Sequence, residues 1–157
     1  MSSPDCVACL LNADPSGAPG GRILSTERWV LEHIVAPIPL VGWLILRTVR
    51  HTEGIVGLDP AEGAELGRLL ATLPKMLQEV SGAEQVYVCV FTEVVPHLHI
   101  HLIPRLPDQA VRGPQLFVER MQAIREHPES SPPAAEAAAF VARVKAALLA
   151  GLGDLEG

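Results

Sequence analysis

The sequence predicts an α+β fold: an antiparallel meander sheet with a long helix packed on it, followed by a helical carboxy-terminal extension. Three observations carry this. Short runs rich in apolar and β-branched residues recur before and after the middle of the chain and read as strands. One stripe with helical period, Leu66, Leu69, Leu70, Leu73, Leu77 and Val80, lies between the two groups of strands. Two further helical patterns close the chain. Strands, helix, strands, helix is the order of an α+β domain.

Taken in order, residues 10–21 are rich in Gly, Pro, Asn and Asp and read as loop. Arg22 to Ser25 and Trp29 to Ile34 form a hairpin around Thr26-Glu27-Arg28. Pro37 and Pro39 interrupt the next segment, and Trp43 to Arg50 is a third strand ending at His51. Asp59-Pro60-Ala61-Glu62 starts a helix: Asp59 caps it, Pro60 suits its first turn, and Glu62 stands where a capping-box partner belongs. Pro74 lies inside the apolar stripe, removes one backbone donor, and is expected to kink or split the helix. Ser81-Gly82 ends it. Gln85 to Phe91 is a strand with Val86, Val88 and Val90 on one face. The short turn Thr92–Pro96 then leads into a strand that should pair antiparallel with it. Beyond Arg105, a helix carries Phe117, Met121 and Ile124 in step. Pro128 to Pro133 breaks it, and Ala134 to Leu149 forms the last helix. The expected organisation is one domain over 1–157, with a core over 1–110 and the extension over 111–157.

The chain has 157 residues, of which 48% are hydrophobic and 19% charged, so a packed core is expected and wholesale disorder is not. The net charge of -6 argues against nucleic acid or an anionic membrane as partner. It leaves room for a small phosphorylated ligand, which needs only a few local donors. The amino end, Met1 to Asp5, shows no signal-peptide pattern. The apolar run from Val35 to Leu46 is short and holds two prolines, so no membrane span is expected. These features point to a cytoplasmic protein. Three cysteines are too few for a disulfide framework.

Chemistry concentrates in His97-Leu98-His99-Ile100-His101-Leu102-Ile103-Pro104-Arg105. The chain has six histidines, and three fall within these five leading positions at alternate residues. A strand would set the three imidazoles on one face and Leu98, Ile100 and Leu102 on the other. Buried imidazoles need partners, so the histidine face should meet a cleft, a metal or a substrate. A neutral imidazole is a good nucleophile near pH 7 and a good leaving group from phosphorus. Its attacking nitrogen must be bare, so the other should donate to a fixed carbonyl. Cys6 and Cys9, in C-x-x-C spacing, can aim two sulfurs at one ion, and structural zinc takes four such ligands. His51 and His97 are further candidates. Unliganded thiols and a redox pair are the competing readings, the redox pair ranking last because only five residues precede it.

The His-apolar-His-apolar-His motif, with Pro104-Arg105 after it, resembles the signature of the histidine triad family of nucleotide hydrolases and transferases over roughly residues 6 to 105. The resemblance implies a dimeric α+β fold and a structural zinc held by Cys6, Cys9, His51 and His97. It also implies a covalent nucleotidyl adduct on His99, with His101 near the scissile phosphate stabilising charge. Arg105 is a further phosphate-contact candidate, weighed against a solvated arginine. The implied ligand is a small-molecule nucleotide, and the implied substrates are dinucleoside polyphosphates and nucleoside phosphoramidates. The chain departs from the family pattern at three places. Trp43 follows Gly42 where a histidine often stands. Val35 is nearest to a ribose-contacting aspartate. Glu93 lies in a shortened turn before the triad, where it would repel a phosphate unless turned away.

Three readings compete. The first is a hydrolase or transferase working through His99. The second is a catalytically weak, zinc-stabilised nucleotide-binding module. The third is a strand whose three histidines share one metal, disfavoured because alternate residues lie roughly 6.5–7 Å apart along a strand.

Overall fold

The computed structural model describes residues 5–153. The part of the amino end before Asp5 lies outside the described residues. Five strands, β1 (Leu24–Ser25), β2 (Trp29–His33), β3 (Leu44–Thr48), β4 (Gln85–Val90) and β5 (His99–Arg105), form one sheet in the order β1-β2-β3-β5-β4. Every neighbouring pair is antiparallel. Four helices accompany it: α1 (Val7–Ala13), α2 (Pro60–Ser81), α3 (Pro114–Glu126) and α4 (Ala134–Gly153). The fold is α+β, as the pattern predicts.

Strand alternation sorts the sheet into two faces. Trp29 and Leu31 of β2, Leu44 and Leu46 of β3, and Ile100 and Leu102 of β5 face one way. They pack with Leu98 against Leu66, Leu73, Met76 and Leu77 of α2 and Phe140 and Val144 of α4. Burying each such side chain fully stabilises the fold by about 1.5–3 kcal/mol. The opposite face carries Arg47, His99 and His101, with Arg47 paired to His99 and Ile45 to His101 across the β3–β5 ladder. Leu40, Trp43, Ile103 and Leu116 form a second apolar cluster, with Phe117 and Met121 packed against it.

Helix α2 begins with the predicted capping box. The Glu62 N–H donates to Asp59 Oδ1 at 2.8 Å, and the Asp59 N–H donates to Glu62 Oε2 at 2.9 Å. Gly82 ends it in the left-handed region at φ 70°. Pro74 does not split it: the helix is one element of 22 residues. Core packing by Leu73, Met76 and Leu77 on both sides of the proline outweighs the loss of one hydrogen bond. The loop composition of 10–21 does not foresee α1, which runs over Val7–Ala13 and takes in residues 10–13. Seven residues are too few for a stable isolated helix. Tertiary contacts hold it: the Asn12 side-chain amide donates to the Thr48 carbonyl at 2.9 Å, and Arg47 Nε donates to Asn12 Oδ1 at 2.6 Å. Among the described residues, no helix is long and apolar enough to cross a membrane.

Glu62 also accepts from Arg50, with Oε2 to Nη2 at 2.6 Å, which ties the loop after β3 to the start of α2. This guanidinium holds the Glu62 carboxyl below the usual carboxylate range. An unfolded glutamate titrates at about 4.3. The stabilisation is therefore complete above that value and lost as the pH falls through the lower folded one. Glu62→Gln removes this dependence. In urea unfolding, the stability gap between wild type and variant is expected to shrink from about pH 6 to about pH 3; a constant or widening gap would contradict the ion pair.

Candidate functional site

Two groups of side chains meet at His97. In the first, Cys6 caps the amino end of α1, Cys9 lies in its first turn, His51 follows β3, and His97 precedes β5. Their ligand atoms lie within 4.8 Å of one another. Cys6 Sγ is 3.5 Å from His97 Nδ1, and Cys9 Sγ is 3.4 Å from Nδ1 of both His97 and His51. A tetrahedral zinc, with bonds of about 2.3 Å to sulfur and about 2.0 Å to nitrogen, sets such atoms roughly 3.5 Å apart. The donor set therefore fits zinc. His97 Nε2–H donates to the Thr48 carbonyl at 2.8 Å, which leaves Nδ1 bare and aimed at the sulfurs. Burial pushes the His97 imidazole below its ordinary pKa, in keeping with a neutral ring.

The second group lies in a cleft of about 180 Å³. His99 and His101 line it, with Arg47 and Ile45 beside them, Val7, Ala8 and Leu11 of α1 on one side, and His33, Ile34 and Val35 on another. His99 Nδ1–H donates to the His97 carbonyl at 2.8 Å, which leaves its Nε2 with a free lone pair. The Trp43 indole N–H donates to His101 Nδ1 at 3.0 Å. An indole can only donate, so His101 carries its proton on Nε2. The two rings stand 5.1 Å apart, nearly perpendicular. Burial first, and then neighbouring His99, push the His101 pKa down to about 4. His101 is therefore neutral at physiological pH.

Arg47 is 3% exposed and ion-paired with Glu32, Nη2 to Oε2 at 2.5 Å. Glu32 also meets Arg22 at 3.3 Å, and Arg22 donates to the Asn12 carbonyl. The network pins α1 over the sheet face that carries His99. His33 Nδ1–H donates to the Ile34 carbonyl at 2.8 Å, and its Nε2 accepts from the Gly42 N–H at 2.9 Å. It joins the ends of β2 and β3. A larger cleft, about 500 Å³, opens between α3 and residues 106–111. It is lined by Leu40, Asp108, Gln109, Glu119 and Arg120 among others, and by no histidine or cysteine among the described residues.

The structure thus brings Cys6, Cys9, His51 and His97 together, and separately His99 and His101. Only His99 and His101 of the three lie in the β5 ladder. His97 lies outside β5, in an isolated bridge with Glu53, and its ring joins the cysteines. Of the three, only His97 belongs to a metal-capable cluster among the described residues. Arg105 is not brought to the cleft. It sits at the far end of β5, roughly 20 Å along the strand from His99, and pairs with Glu84 at 2.6 Å. It is also buried rather than solvated. Glu93 is exposed and does not line the cleft. Val35 does line it. Cys89 is partly buried, and desolvation pushes its thiol up to about 11. Arg47, Glu32 and Asn12 escape sequence reasoning, because an isolated arginine in a strand carries no spacing signal. Trp43 is legible only as a departure from a pattern.

No family model matches the chain. Over 92 residues, 55% of this chain, it is 26% identical to the nitrilase and fragile histidine triad fusion protein NitFhit of Drosophila melanogaster, and it spans about a fifth of that relative's length. Its structure is similar to that of a Hit-like protein involved in cell-cycle regulation from Bartonella henselae. The TM-score is 0.70 at 14% identity, over 92% of this chain and 97% of that one. It is also similar to a zinc-bound histidine triad family protein from Mycobacterium smegmatis, with a TM-score of 0.65 at 17% identity, over 94% of this chain and 97% of that one. The fold is that of the histidine triad proteins. An overlap of 92% exceeds residues 6–105, so the likeness extends into the carboxy-terminal helices.

The buried network generates one prediction. Arg47→Met leaves Glu32 in the interior with Arg22 as its remaining cationic partner, and is expected to destabilise the protein by about 3–5 kcal/mol. The double variant Glu32→Leu/Arg47→Met should recover a large part of this. Denaturant unfolding of both measures it, and a loss under about 1 kcal/mol for Arg47→Met would show that the pair is not needed to hold the fold.

Proposed function

We propose that this chain is a histidine triad enzyme that cleaves a nucleotide at its α-phosphorus through a covalent adduct on His99. The observation that carries the reading is the hydrogen bond from His99 Nδ1–H to the His97 carbonyl. It leaves Nε2, the nitrogen on the side of the cleft, with a free lone pair to act as the nucleophile. In the first step a bond forms between His99 Nε2 and phosphorus. The bond to the leaving group breaks, and the leaving group departs with the electron pair. In the second, water or another acceptor attacks phosphorus and releases its proton to solvent, the N–P bond breaks, and His99 recovers its lone pair. His101 Nε2–H donates a hydrogen bond to the phosphoryl oxygen as charge builds. Arg47, the ladder partner of His99, adds positive potential beside it.

The fit of Cys6, Cys9, His51 and His97 to four-coordinate zinc supports a structural metal. It would fasten α1 to the core and fix the His97 carbonyl that orients His99. A homodimer belongs to the same reading. Support comes from β4, which ends the sheet and carries exposed Val88 at its open edge, with exposed Phe91 just beyond it. A second reading, a zinc-stabilised module that binds a nucleotide without turning it over, draws on one observation. Among the described residues, the cleft lining offers no carboxylate or side-chain amide to hold a ribose.

Intact-protein mass spectrometry tests the enzyme. The protein is quenched in alkali within seconds of mixing with a dinucleoside polyphosphate. A nucleotidyl mass increment is expected in wild type and is lost in His99→Ala with the fold retained. No increment and no turnover, with nucleotide binding intact in His99→Ala, would establish the binding module instead. Metal analysis tests the zinc. About one zinc per chain is expected, falling in Cys6→Ser and Cys9→Ser and unchanged in His99→Ala. Loss of zinc in His99→Ala would overturn the assignment of ligands.

A further inference from the structure

We infer that Trp43 is a positioning residue that holds His101 in the Nε2–H form and so leaves the cleft without a proton donor for the leaving group, which restricts the reaction to leaving groups that depart as stable anions. The inference rests on the proposed attack by His99 and adds what that attack can expel.

The argument is an inventory of protons. His101 Nδ1 accepts the Trp43 indole N–H at 3.0 Å, inside a buried cluster where Trp43 itself is fully enclosed. If His101 gave up its Nε2 proton, it would have to take another at Nδ1 to avoid becoming an imidazolate. That lone pair is occupied by a donor whose own proton is not acidic enough to transfer. His101 can therefore polarise an oxygen by hydrogen bonding but cannot relay a proton. Its depressed pKa agrees, since the doubly protonated ring that could serve as an acid is absent at neutral pH.

The other polar groups of the lining offer no substitute. His33 has Nδ1–H fixed on the Ile34 carbonyl and Nε2 occupied by the Gly42 N–H. Arg47 is engaged by Glu32 and Asn12. His99 is the nucleophile, and its one proton lies on the His97 carbonyl. No Asp, Glu, Lys, Tyr or Cys lines the cleft among the described residues. Cys89, the ladder partner of His101, lies outside it and has a thiol pushed up to about 11.

The electron count then sorts substrates. When His99 Nε2 bonds to the phosphorus of a phosphoanhydride, the P–O bond breaks toward a phosphate oxygen that leaves as a stable anion and needs no proton. When the leaving atom is an amine nitrogen, the P–N bond breaks toward an amide anion unless a proton arrives during cleavage, and none is placed to arrive. The chemical class assigned to the site is a nucleotide whose α-phosphorus bears a phosphate or another weakly basic oxyanion as leaving group.

The test is a leaving-group series: adenosine 5′-monophosphate aryl esters with phenols of graded acidity, together with adenosine 5′-phosphoramidate, assayed on the full-length protein. In wild type kcat/KM is expected to fall about tenfold for each unit of leaving-group pKa, the slope of an unprotonated departing oxygen. Trp43→His, whose imidazole can pass a proton to Nδ1 of His101, should flatten that slope and raise phosphoramidate cleavage relative to the most acidic ester. Comparing substrates on one preparation makes the slope independent of how much protein has folded. Nitrogen-15 NMR of the wild-type histidine rings gives a second readout, with the His101 proton expected on Nε2. A shallow wild-type slope, a His101 proton on Nδ1, or a steep slope unchanged in folded Trp43→His and Trp43→Phe would overturn the inference while leaving the His99 mechanism standing. Absence of turnover and of adduct across the whole series would remove both.

Discussion

His97 is the residue through which the two halves of the site depend on each other. Its Nε2–H is bound to the Thr48 carbonyl, its Nδ1 faces the sulfurs of Cys6 and Cys9, and its own carbonyl receives the Nδ1–H of His99. Each contact fixes the next. The Thr48 bond sets the ring so that one nitrogen is bare, and the cysteine cluster holds the ring in place. A fixed residue 97 presents a fixed carbonyl. That carbonyl decides which nitrogen of His99 carries the proton. The tautomer of the proposed nucleophile is thus set by backbone geometry two residues away, and the geometry is anchored where the amino-terminal helix meets the sheet.

The charge network reinforces the same junction from the other side. Glu32, Arg47 and Asn12 are drawn from β2, β3 and α1, and each is satisfied by the others. Buried charges persist only when paired. The pairing leaves α1 little freedom to shift without taking Asn12 away from the buried Arg47 Nε–H that donates to it. Since Val7, Ala8 and Leu11 of α1 form one side of the triad cleft, the network and the cysteine cluster together set the shape of that cleft. A seven-residue helix whose N-cap residue, Cys6, makes no side-chain capping hydrogen bond is thereby made a rigid wall.

His99 and His101 differ in chemistry although they are two residues apart on one strand. His99 is half-buried and donates its Nδ1–H to a carbonyl, whereas His101 is buried and accepts a hydrogen bond from the Trp43 indole N–H. Trp43 reaches it from β3's leading end because Leu40, Ile103, Leu116 and Phe117 enclose the indole. The same apolar cluster that covers this end of the sheet therefore selects the tautomer of a polar side chain.

Much of this protein was legible in its sequence. The capping box at Asp59 and Glu62, the apolar stripe of α2, the strands and the sorting of Leu98, Ile100 and Leu102 to the core all follow from local spacing, because period and capping are properties of neighbouring residues. The histidine spacing and the cysteine pair mark where chemistry resides for the same reason. Tertiary structure alone decided the rest. The helix at 7–13 exists because Asn12 meets Thr48 and Arg47, not because its residues favour a helix. The continuity of α2 through Pro74 comes from packing on both sides of it. Arg105, plausible by adjacency, is carried the length of β5 away from His99 and neutralised by Glu84. The proton positions on His97, His99 and His101 are set by a carbonyl of residue 48, a carbonyl of residue 97 and an indole of residue 43. Local sequence determines which groups are present and which way a strand or helix turns them. Which partner each meets depends on contacts between distant segments, and for an imidazole the partner decides whether it attacks or donates.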